Sequence, residues 1–492
     1  MGISRRGRLV RGKLSSVLAV TLVAALCLVA LPACAQSVNE AIVKVYAVYD
    51  EPDYYNPWQM YGSQARSGSG CVIEGNRILT SAHVVADQVF VQVKRAGQPR
   101  KYIAAVEIVA HECDLAILEV SDDSFFLSVE PLRIGQLPTL RDKVVVYGFP
   151  QGGDELCITE GVVSRVEHQY YAHSQEYLLT CQIDAAINPG SSGGPVIKDG
   201  EIAGVAFQAG GGENIGYMVP APVIERFLED IEDGEYDGMP GIGIRWQKME
   251  NPDLRHRYGM TTEQTGILIN QIYPCFPADG VLQPQDVILS IDNVNIENDG
   301  TIEFRAGERT SFSYLIQSKF IGDIVGLSIL RDGVVKDLKI RFTSPLSGFR
   351  LVPNEQYDTT PRYYIIGGLV FEPLTLNLLK MWGANWYGDA PRNLVNYYFR
   401  GEPTKDRSEL VVLVRVLADE VNVGYQNRRY EVITEVNRKS IGDMTDLIDA
   451  FEDNTGLHHV IINERGERII LDRAKVEESG ERILRKYSIS TQ

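Results

Sequence analysis

Short apolar runs separated by turn residues fill the chain from Val38 to about Val219. Within the runs, apolar and polar residues alternate or β-branched residues follow one another, and glycine, asparagine, aspartate or proline stands between them, as is typical of strands. Many short strands in close succession favour barrels or sandwiches over alternating strand–helix units. The predicted strands cover residues 41–48, 70–74, 77–81, 89–95, 116–120, 143–147, 158–166, 177–183, 194–197 and 202–207.

A helical pattern over residues 221–230 ends this region, and the acidic, glycine-rich stretch 233–238 after it is a predicted linker. Beyond it the chain contains a diverged repeat, because DVILSIDN at 286–293 recurs as EVITEVNR at 431–438. The repeat predicts two related modules joined near residues 347–357. Each copy follows an apolar strand and precedes a helical pattern; these flanking segments are 266–272 and 309–317 in the first copy, 410–417 and 443–451 in the second.

The composition is that of a globular protein of about three domains, with 492 residues, 44% hydrophobic and 23% charged. The net charge is −17, and the first 35 residues contribute five basic and no acidic side chains. A strongly acidic mature surface repels nucleic acid and anionic lipid, which excludes both as main partners.

The first 35 residues have the pattern of an export signal: a basic region, the apolar run 17–31 and the small residues 33–35 as a cleavage site. We therefore expect an exported protein, in the bacterial periplasm or cell envelope. Two alternatives remain: lipidation of Cys34, since residues 31–34 resemble a lipoprotein box, or an uncleaved membrane anchor.

Cys157 and Cys181 lie in adjacent predicted strands and could pair in an oxidising compartment, or remain buried thiols. Because the sequence contains no CxxC pair and no Cys/His cluster, it predicts no metal site and no cofactor.

The strongest chemical signal is NPGSSGGP at residues 188–195. A serine followed by two glycines and a proline lets the backbone fold tightly around an exposed hydroxyl. The N–H groups of Gly190, Ser191 and Ser192 can then point into one small space suited to an oxyanion. Because a serine hydroxyl is a weak nucleophile without a base, the run predicts a histidine and a carboxylate upstream.

Both groups are present, as His83 in TSAHVV at 80–85 and Asp114 in HECDLAIL at 111–118. In order and spacing the three motifs resemble the HtrA/Deg serine proteases, and residues 214–220 resemble the strand beside that family's specificity pocket. Residues 246–255 and 362–373 resemble the plant-type subgroup with two PDZ domains. The resemblance implies a mostly β chain, a trypsin-like double β-barrel followed by two PDZ (α+β) domains. The expected boundaries are a signal peptide at 1–35, the protease domain at 36–235, PDZ domains at 236–346 and 347–475, and a tail at 476–492.

The resemblance also implies the roles of the side chains. Ser192 is the nucleophile, since the family's serine directly precedes two glycines; Ser191 replaces the usual asparagine and contributes its N–H. His83 is the general base, and Asp114 orients it. We interpret the other histidines as structural: His111, His168, His173, His256, His458 and His459.

By the same resemblance, five residues without an acidic member line the first specificity pocket, which predicts a preference for small or medium apolar side chains. The alternative for each is a core role. They are Ile187, Phe207, Gln208, Ile215 and Tyr217. The family's sensor loop corresponds to residues 167–176, and its mobile loops correspond to 151–155 and 208–213.

A PDZ domain adds an extended peptide to a sheet edge and holds its terminal carboxylate with backbone N–H groups. Glycine-rich segments in both modules could form such carboxylate loops, although either module could serve assembly instead. They are Gly241, Ile242, Gly243 and Ile244 in the first module, and Gly367, Gly368, Leu369 and Val370 in the second.

The sequence thus predicts an exported serine endopeptidase that cleaves unfolded or damaged proteins and binds C-terminal peptides. The resemblance implies a homotrimer or larger homo-oligomer, with a membrane tether at the N-terminus as a further option. Two alternatives are a chaperone-like scaffold with gated proteolysis and a regulatory protease that acts on one partner.

Overall fold

A computed structural model describes residues 38–209 and 215–490. The predicted signal over residues 1–35, including Cys34, lies outside these ranges. Strands account for 38% of the structure and helices for 18%, which confirms the predicted mostly β class.

The first unit is a closed barrel of six strands in the order β1-β2-β3-β6-β5-β4. Its interior is lined by buried aliphatic side chains, and the core continues without interruption into the second barrel. Strand β5 was not predicted from the sequence, because it has only two buried residues and so shows a weak apolar pattern. The elements are β1 (Ile42–Tyr49), β2 (Gln64–Ile73), β3 (Arg77–Thr80), α1 (Ala82–Val85), β4 (Gln88–Arg95), β5 (Tyr102–Ala110) and β6 (Leu115–Glu119).

The second unit is another closed six-stranded barrel, in the order β10-β11-β12-β9-β8-β7. The helix predicted at 221–230 is present with these bounds and buries Val223, Ile224 and Phe227 against the barrel. The elements are β7 (Lys143–Gly148), β8 (Cys157–Tyr170), β9 (Tyr177–Ile183), β10 (Pro195–Lys198), β11 (Glu201–Ala209), β12 (Gly216–Pro220) and α2 (Ala221–Asp230).

The third unit is an antiparallel sheet in the order β13-β14-β15-β19-β20, with the short β16 beside β15 and a separate β17–β18 hairpin. The helix predicted at 309–317 is wrong in its first half, because residues 308–311 pair with 301–305 across a turn at Gly307, where φ is +75°. The elements are β13 (Ile244–Lys248), α3 (Pro252–Arg257), β14 (Ile267–Ile272), β15 (Val287–Ile291), β16 (Val294–Asn295), β17 (Thr301–Arg305), β18 (Glu308–Ser311), α4 (Tyr314–Gln317), β19 (Ile324–Arg331) and β20 (Val334–Arg341).

The fourth unit repeats this sheet as β22-β23-β24-β26-β27 and adds β21 outside β22. Strands β15 and β24 carry the two copies of the repeat and hold the same position in their sheets, so the predicted duplication is confirmed. The elements are β21 (Tyr364–Ile366), β22 (Leu369–Pro373), α5 (Leu376–Lys380), α6 (Trp386–Asp389), α7 (Arg392–Arg400), β23 (Val411–Val416), β24 (Glu431–Val436), β25 (Lys439–Ser440), α8 (Met444–Glu452), β26 (His458–Asn463), β27 (Arg468–Asp472) and α9 (Arg473–Lys486).

The expected tail at 476–492 is not separate from this fourth unit. Helix α9 buries Val476 and Ile483, which pack into the apolar clusters of the sheet. Because these two side chains anchor the helix, the domain extends at least to Lys486.

Cys157 and Cys181 are free thiols in the structure, so the pairing considered from the sequence is absent. Within residues 38–209 and 215–490, no helix is long and apolar enough to cross a membrane.

Candidate active site

His83 lies on α1, a single helical turn that follows β3 directly. Because Ala82, Val84 and Val85 are buried, the turn directs the imidazole outward, and 30% of its side-chain surface is exposed. The Arg66 guanidinium donates a 2.8 Å hydrogen bond to the His83 carbonyl and a second bond to the Ala86 carbonyl. Arg66 thus holds the C-terminal end of the turn.

Asp114 stands just before β6 in the left-handed region (φ +56°) and is fully buried. Its two carboxylate oxygens are bonded to the same residue: Oδ2 to His83 Nδ1 at 2.7 Å, and Oδ1 to the His83 backbone N–H at 2.9 Å. Burial alone would raise the pKa of Asp114, but the His83 imidazole and these hydrogen bonds outweigh it, so the pKa lies below its usual value.

An ionised carboxylate can only accept hydrogen bonds, so His83 Nδ1 must carry the proton. In a neutral imidazole the other ring nitrogen, Nε2, then keeps its lone pair. The structure therefore brings together two of the three predicted catalytic residues in the tautomer that a general base requires.

Ser192 lies in the loop between β9 and β10, and Ser69 on β2 of the first barrel fixes this loop. The Ser69 N–H donates to the Ser192 carbonyl at 2.8 Å, and the Ser69 hydroxyl donates to the Gly190 carbonyl at 2.8 Å. Gly193 has φ +83°, and a Cβ there would lie 2.2 Å from the Ser69 carbonyl oxygen, so only glycine fits.

Gly68 is the point where the two catalytic segments meet. A Cβ at Gly68 would lie 2.5 Å from Val84 Cγ2, next to His83, and 3.1 Å from the Ser192 carbonyl oxygen. The loops of the two barrels therefore pack against the same backbone position. The Ser192 hydroxyl itself donates to the Phe207 carbonyl at 3.3 Å.

The backbone donors around Ser192 are only partly those predicted. The Ser191 N–H donates to the Asn188 carbonyl at 2.9 Å, so it is not available to a substrate. The Gly190 and Ser192 N–H groups donate to no described residue. The Pro189 carbonyl accepts a 2.7 Å bond from the Gln151 N–H, and because a trans peptide sets its C=O and N–H in opposite directions, the Gly190 N–H points the other way.

Ser69→Ala is expected to loosen the nucleophile loop, because the Ser69 hydroxyl also accepts a 2.8 Å bond from the buried Phe149 N–H. Each backbone group left without a partner costs about 1–3 kcal/mol. We expect kcat to fall at least tenfold, and thermal unfolding to shift to lower temperature.

The control for this variant is Ser67→Ala, two residues earlier on β2. Ser67 is half-exposed, and its hydroxyl has no hydrogen bond to any described residue. If both variants behave alike, Ser69 does not hold the loop.

The residues predicted to form the specificity pocket lie on both sides of the Ser192 loop. Ile187 packs against Gly216, where a Cβ would lie 2.7 Å from Ile187 Cδ1. Phe207 is buried against Tyr171, with ring centroids 4.4 Å apart, while Ile215 and Tyr217 are half-buried. Residues 210–214, between Gln208 and Ile215, lie outside the described part of the chain.

Gln208 is bonded to the turn after β8 and not to the pocket. Its Oε1 accepts from the Ala172 N–H at 3.0 Å, and its Nε2 donates to the Tyr170 carbonyl at 3.2 Å. Gln208 therefore ties the predicted sensor loop to the strand beside the nucleophile.

In the first sheet module, the predicted carboxylate loop directly precedes β13, whose outer edge has no strand partner among the described residues. The Gly241 N–H donates to the Ser344 carbonyl at 3.2 Å, and the Phe349 ring covers Gly241. Ile242 is buried, and the Gly243 and Ile244 backbone continues into the strand.

In the second module, Gly367 and Gly368 form a two-residue turn between β21 and β22, with φ of +56° and +82°. Leu369 and Val370 are buried, and β21 pairs with the β22 edge to which the resemblance would add a peptide. The chain therefore covers this edge itself.

Four further residues lie beside His83 and Asp114, and no sequence motif indicated them. The His173 ring lies 6.0 Å from the His83 ring and stacks on Tyr357 at 4.1 Å. His111 Nδ1 lies 2.9 Å from His173 Nε2, and His111 Nε2 lies 2.7 Å from Asp358 Oδ2. Both histidines were interpreted as structural, although His111 precedes Asp114 by one turn. No group in the described residues brings together three side chains that could hold a metal ion.

Family models match three parts of the chain. A trypsin-like peptidase domain matches residues 68–205, which contain His83, Asp114 and Ser192. Two PDZ domain models match residues 240–342 and 352–492, the two sheet modules.

Several curated proteins align over almost the whole chain. Protease Do-like 4, mitochondrial, of Arabidopsis thaliana is 41% identical over 91% of this chain and 84% of its own length. Protease Do-like 2, chloroplastic, of the same plant is 39% identical over 92% of this chain and 74% of its own length. Among solved structures, the HtrA-type protease AlgW, in a variant form with a decapeptide, shares the fold with a TM-score of 0.50, at 22% identity over 63% of this chain and 96% of that chain.

The relatives align through the barrels and both sheet modules, and they carry the name of one kind of protease. The chain therefore belongs to the Do-like (HtrA/Deg) family of serine proteases, with a trypsin-like peptidase domain followed by two PDZ domains.

Proposed function

We propose that this protease hydrolyses peptide bonds by acyl transfer through Ser192, His83 and Asp114. The observation that carries the proposal is the pair of hydrogen bonds that the Asp114 carboxylate accepts from the His83 backbone N–H and ring Nδ1, which leaves Nε2 of the neutral ring as the base. The N–H groups of Gly190 and Ser192, which donate to no described residue, support the same chemistry.

In the proposed reaction, the Ser192 hydroxyl leaves the Phe207 carbonyl and turns toward His83. Nε2 takes the hydroxyl proton while Oγ bonds to the substrate carbonyl carbon, and the carbonyl oxygen becomes an oxyanion between the Gly190 and Ser192 N–H groups. His83 then returns the proton to the leaving amine, and water cleaves the acyl-enzyme by the same steps in reverse.

We propose unfolded or damaged proteins as substrates, cut after small or medium apolar residues. The pocket proposed around Ile187, Phe207 and Tyr217 presents no acidic side chain in the described residues, so a basic residue would find no counter-charge there. An apolar pocket discriminates weakly, by about 1–3 kcal/mol per methylene, which suits a protease that accepts many sequences.

The first PDZ domain is the proposed receptor for C-terminal peptides. Its β13 edge has no strand partner among the described residues, and the N–H groups of Ile242 and Gly243 donate to none of them, so they could hold a carboxylate.

Assembly into trimers or larger homo-oligomers and an N-terminal membrane tether remain predictions of the sequence.

The leader over residues 1–35 is a proposed targeting segment, because it is basic, rich in apolar residues and free of acidic ones. The relatives named mitochondrial and chloroplastic favour an organelle over the bacterial periplasm that sequence analysis suggested.

The test is to label the protein lacking residues 1–35 with a fluorophosphonate, and to map the modified residue by mass spectrometry, with and without denatured casein. We expect the label on Ser192 and cleavage of casein. Because two serines are adjacent, Ser191→Ala is the matched variant and should still take the label. A label on Ser191, or casein cleavage without any labelled serine, would refute the proposed mechanism.

A further inference from the structure

The connection between the two PDZ domains returns to the protease domain. Asn354 Nδ2 donates to the Ser174 carbonyl at 3.1 Å and to the Glu176 carboxylate at 2.9 Å. The Tyr357 hydroxyl donates to the His173 carbonyl at 3.1 Å, and its ring stacks on the His173 ring. This docking brings the next residue, Asp358, to the flank of the His83–Asp114 pair.

Asp358 bonds to both segments that carry the catalytic pair. Its Oδ1 accepts from the Asp87 N–H at 2.6 Å, and Asp87 follows the α1 turn that bears His83. Its Oδ2 lies 2.7 Å from His111 Nε2, and the carbonyl of His111 accepts from the Asp114 N–H at 3.3 Å. One carboxylate therefore connects the histidine turn to the aspartate turn.

The contact is reciprocal, because the Asp358 N–H donates to the Asp87 carboxylate at 2.7 Å. Both residues are in the left-handed region, with φ of +54° at Asp87 and +55° at Asp358, a conformation that aspartate tolerates better than most residues. The Asp358 side chain is 34% exposed. Its hydrogen bonds connect the segments that carry His83 and Asp114 and do not involve Ser192.

We propose that Asp358 is a positioning residue of the protease: it fixes the distance between the His83 turn and the Asp114 turn from outside the two barrels. The role rests on the proposed acyl-transfer mechanism. If Asp358 has this role, the catalytic site is complete only when residues 354–358 are bound to the protease domain. A shift of about 1 Å in a catalytic pair can lower the rate about 100-fold, so a bridge of this kind has a measurable effect.

The test compares Asp358→Ala with Asp358→Asn in the protein lacking residues 1–35, by kcat and KM on a peptide substrate. We expect Asp358→Ala to lower kcat about 10- to 100-fold and to change KM less than about twofold, because the Asp358 carboxylate bonds to Asp87 and His111 and not to the proposed specificity pocket. Asparagine keeps an oxygen for the Asp87 N–H and an amide that can bond the other tautomer of His111. Asp358→Asn should therefore retain at least about a third of kcat.

Asp332→Ala is the matched control. Asp332 has φ +51° in the exposed turn between β19 and β20, so its replacement removes an aspartate from the same conformation away from the barrels. Its kcat should equal that of the unaltered protein. An unchanged kcat in Asp358→Ala would overturn the proposal. A raised kcat would also overturn it, because it would show that the contact of Asp358 inhibits the protease.

Hydrogen exchange gives a readout that does not depend on proteolysis. In the Ser192→Ala background, Asp358→Ala should speed exchange at the Asp87 amide and across residues 111–116. Unchanged exchange would show that the bridge is absent in solution and would overturn the proposal. If the parent protein neither labels nor cleaves, the proposed mechanism fails while the exchange result still reports the contact.

Discussion

Ser192→Ala and His83→Ala are each expected to lower kcat on a peptide substrate by about five to six orders of magnitude. In the proposed mechanism the serine supplies the bond to the acyl group and the histidine moves the proton, so neither step would proceed without the other. The double variant should be no slower than either single one, because the members of such a group act as a unit. We expect a residual rate about 10³- to 10⁴-fold above the uncatalysed reaction, from substrate binding and the two proposed N–H donors.

Single-turnover kinetics measure these rates, and thermal unfolding shows whether the variants remain folded. Ser192 is only half-buried, and its hydroxyl makes one long hydrogen bond, so Ser192→Ala should unfold at nearly the temperature of the parent protein. A Ser192→Ala protein with more than about one per cent of the parent kcat would place the nucleophile elsewhere.

Asp114→Asn is expected to lower kcat about 10⁴-fold with little loss of stability. An amide has one oxygen where the carboxylate has two. If that oxygen keeps the His83 backbone N–H, the amide NH₂ faces Nδ1, which must then accept, and the ring proton moves to Nε2. The reverse orientation sets two donors against each other. The base is therefore blocked in one orientation, and the other is unfavourable.

The matched control is Asp122→Asn, because Asp122 is another carboxylate downstream of His83, eight residues after Asp114. Asp122 caps a short turn by accepting from the Ser124 N–H at 3.0 Å and pairs with Arg100 on the surface. Its replacement should leave kcat within about twofold, since an exposed ion pair contributes little. Equal losses in the two variants would contradict the role of Asp114.

The sequence was informative where a function depends on a local segment. His83, Asp114 and the Ser192 loop each lie in a short motif whose residues also build the turn that presents them, so motif and geometry coincide. The apolar pattern predicted most of the barrel strands. It did not predict β5, because most side chains of this strand are partly or fully exposed.

Contacts between distant segments could not be predicted. No motif around Asp358 indicates a role in the protease domain, because its partners Asp87 and His111 lie in that other domain. Its own segment has the sequence pattern of a linker. The oxyanion donors show the same limit at short range. Ser191 was expected to contribute, but a turn bond to Asn188 uses its N–H, and this depends on backbone angles that residue types leave open.

Strand β21 has a consequence for ligand competition. A dissolved peptide seeking the edge of β22 competes with a segment that is already attached through a two-residue turn. A short tether gives β21 an effective concentration in the millimolar range at the β22 edge. A dissolved peptide of micromolar intrinsic affinity therefore occupies this edge less than it would if β21 were absent. A ligand would reach this groove only after β21 had separated from β22, which makes the first PDZ domain the more accessible of the two proposed receptors.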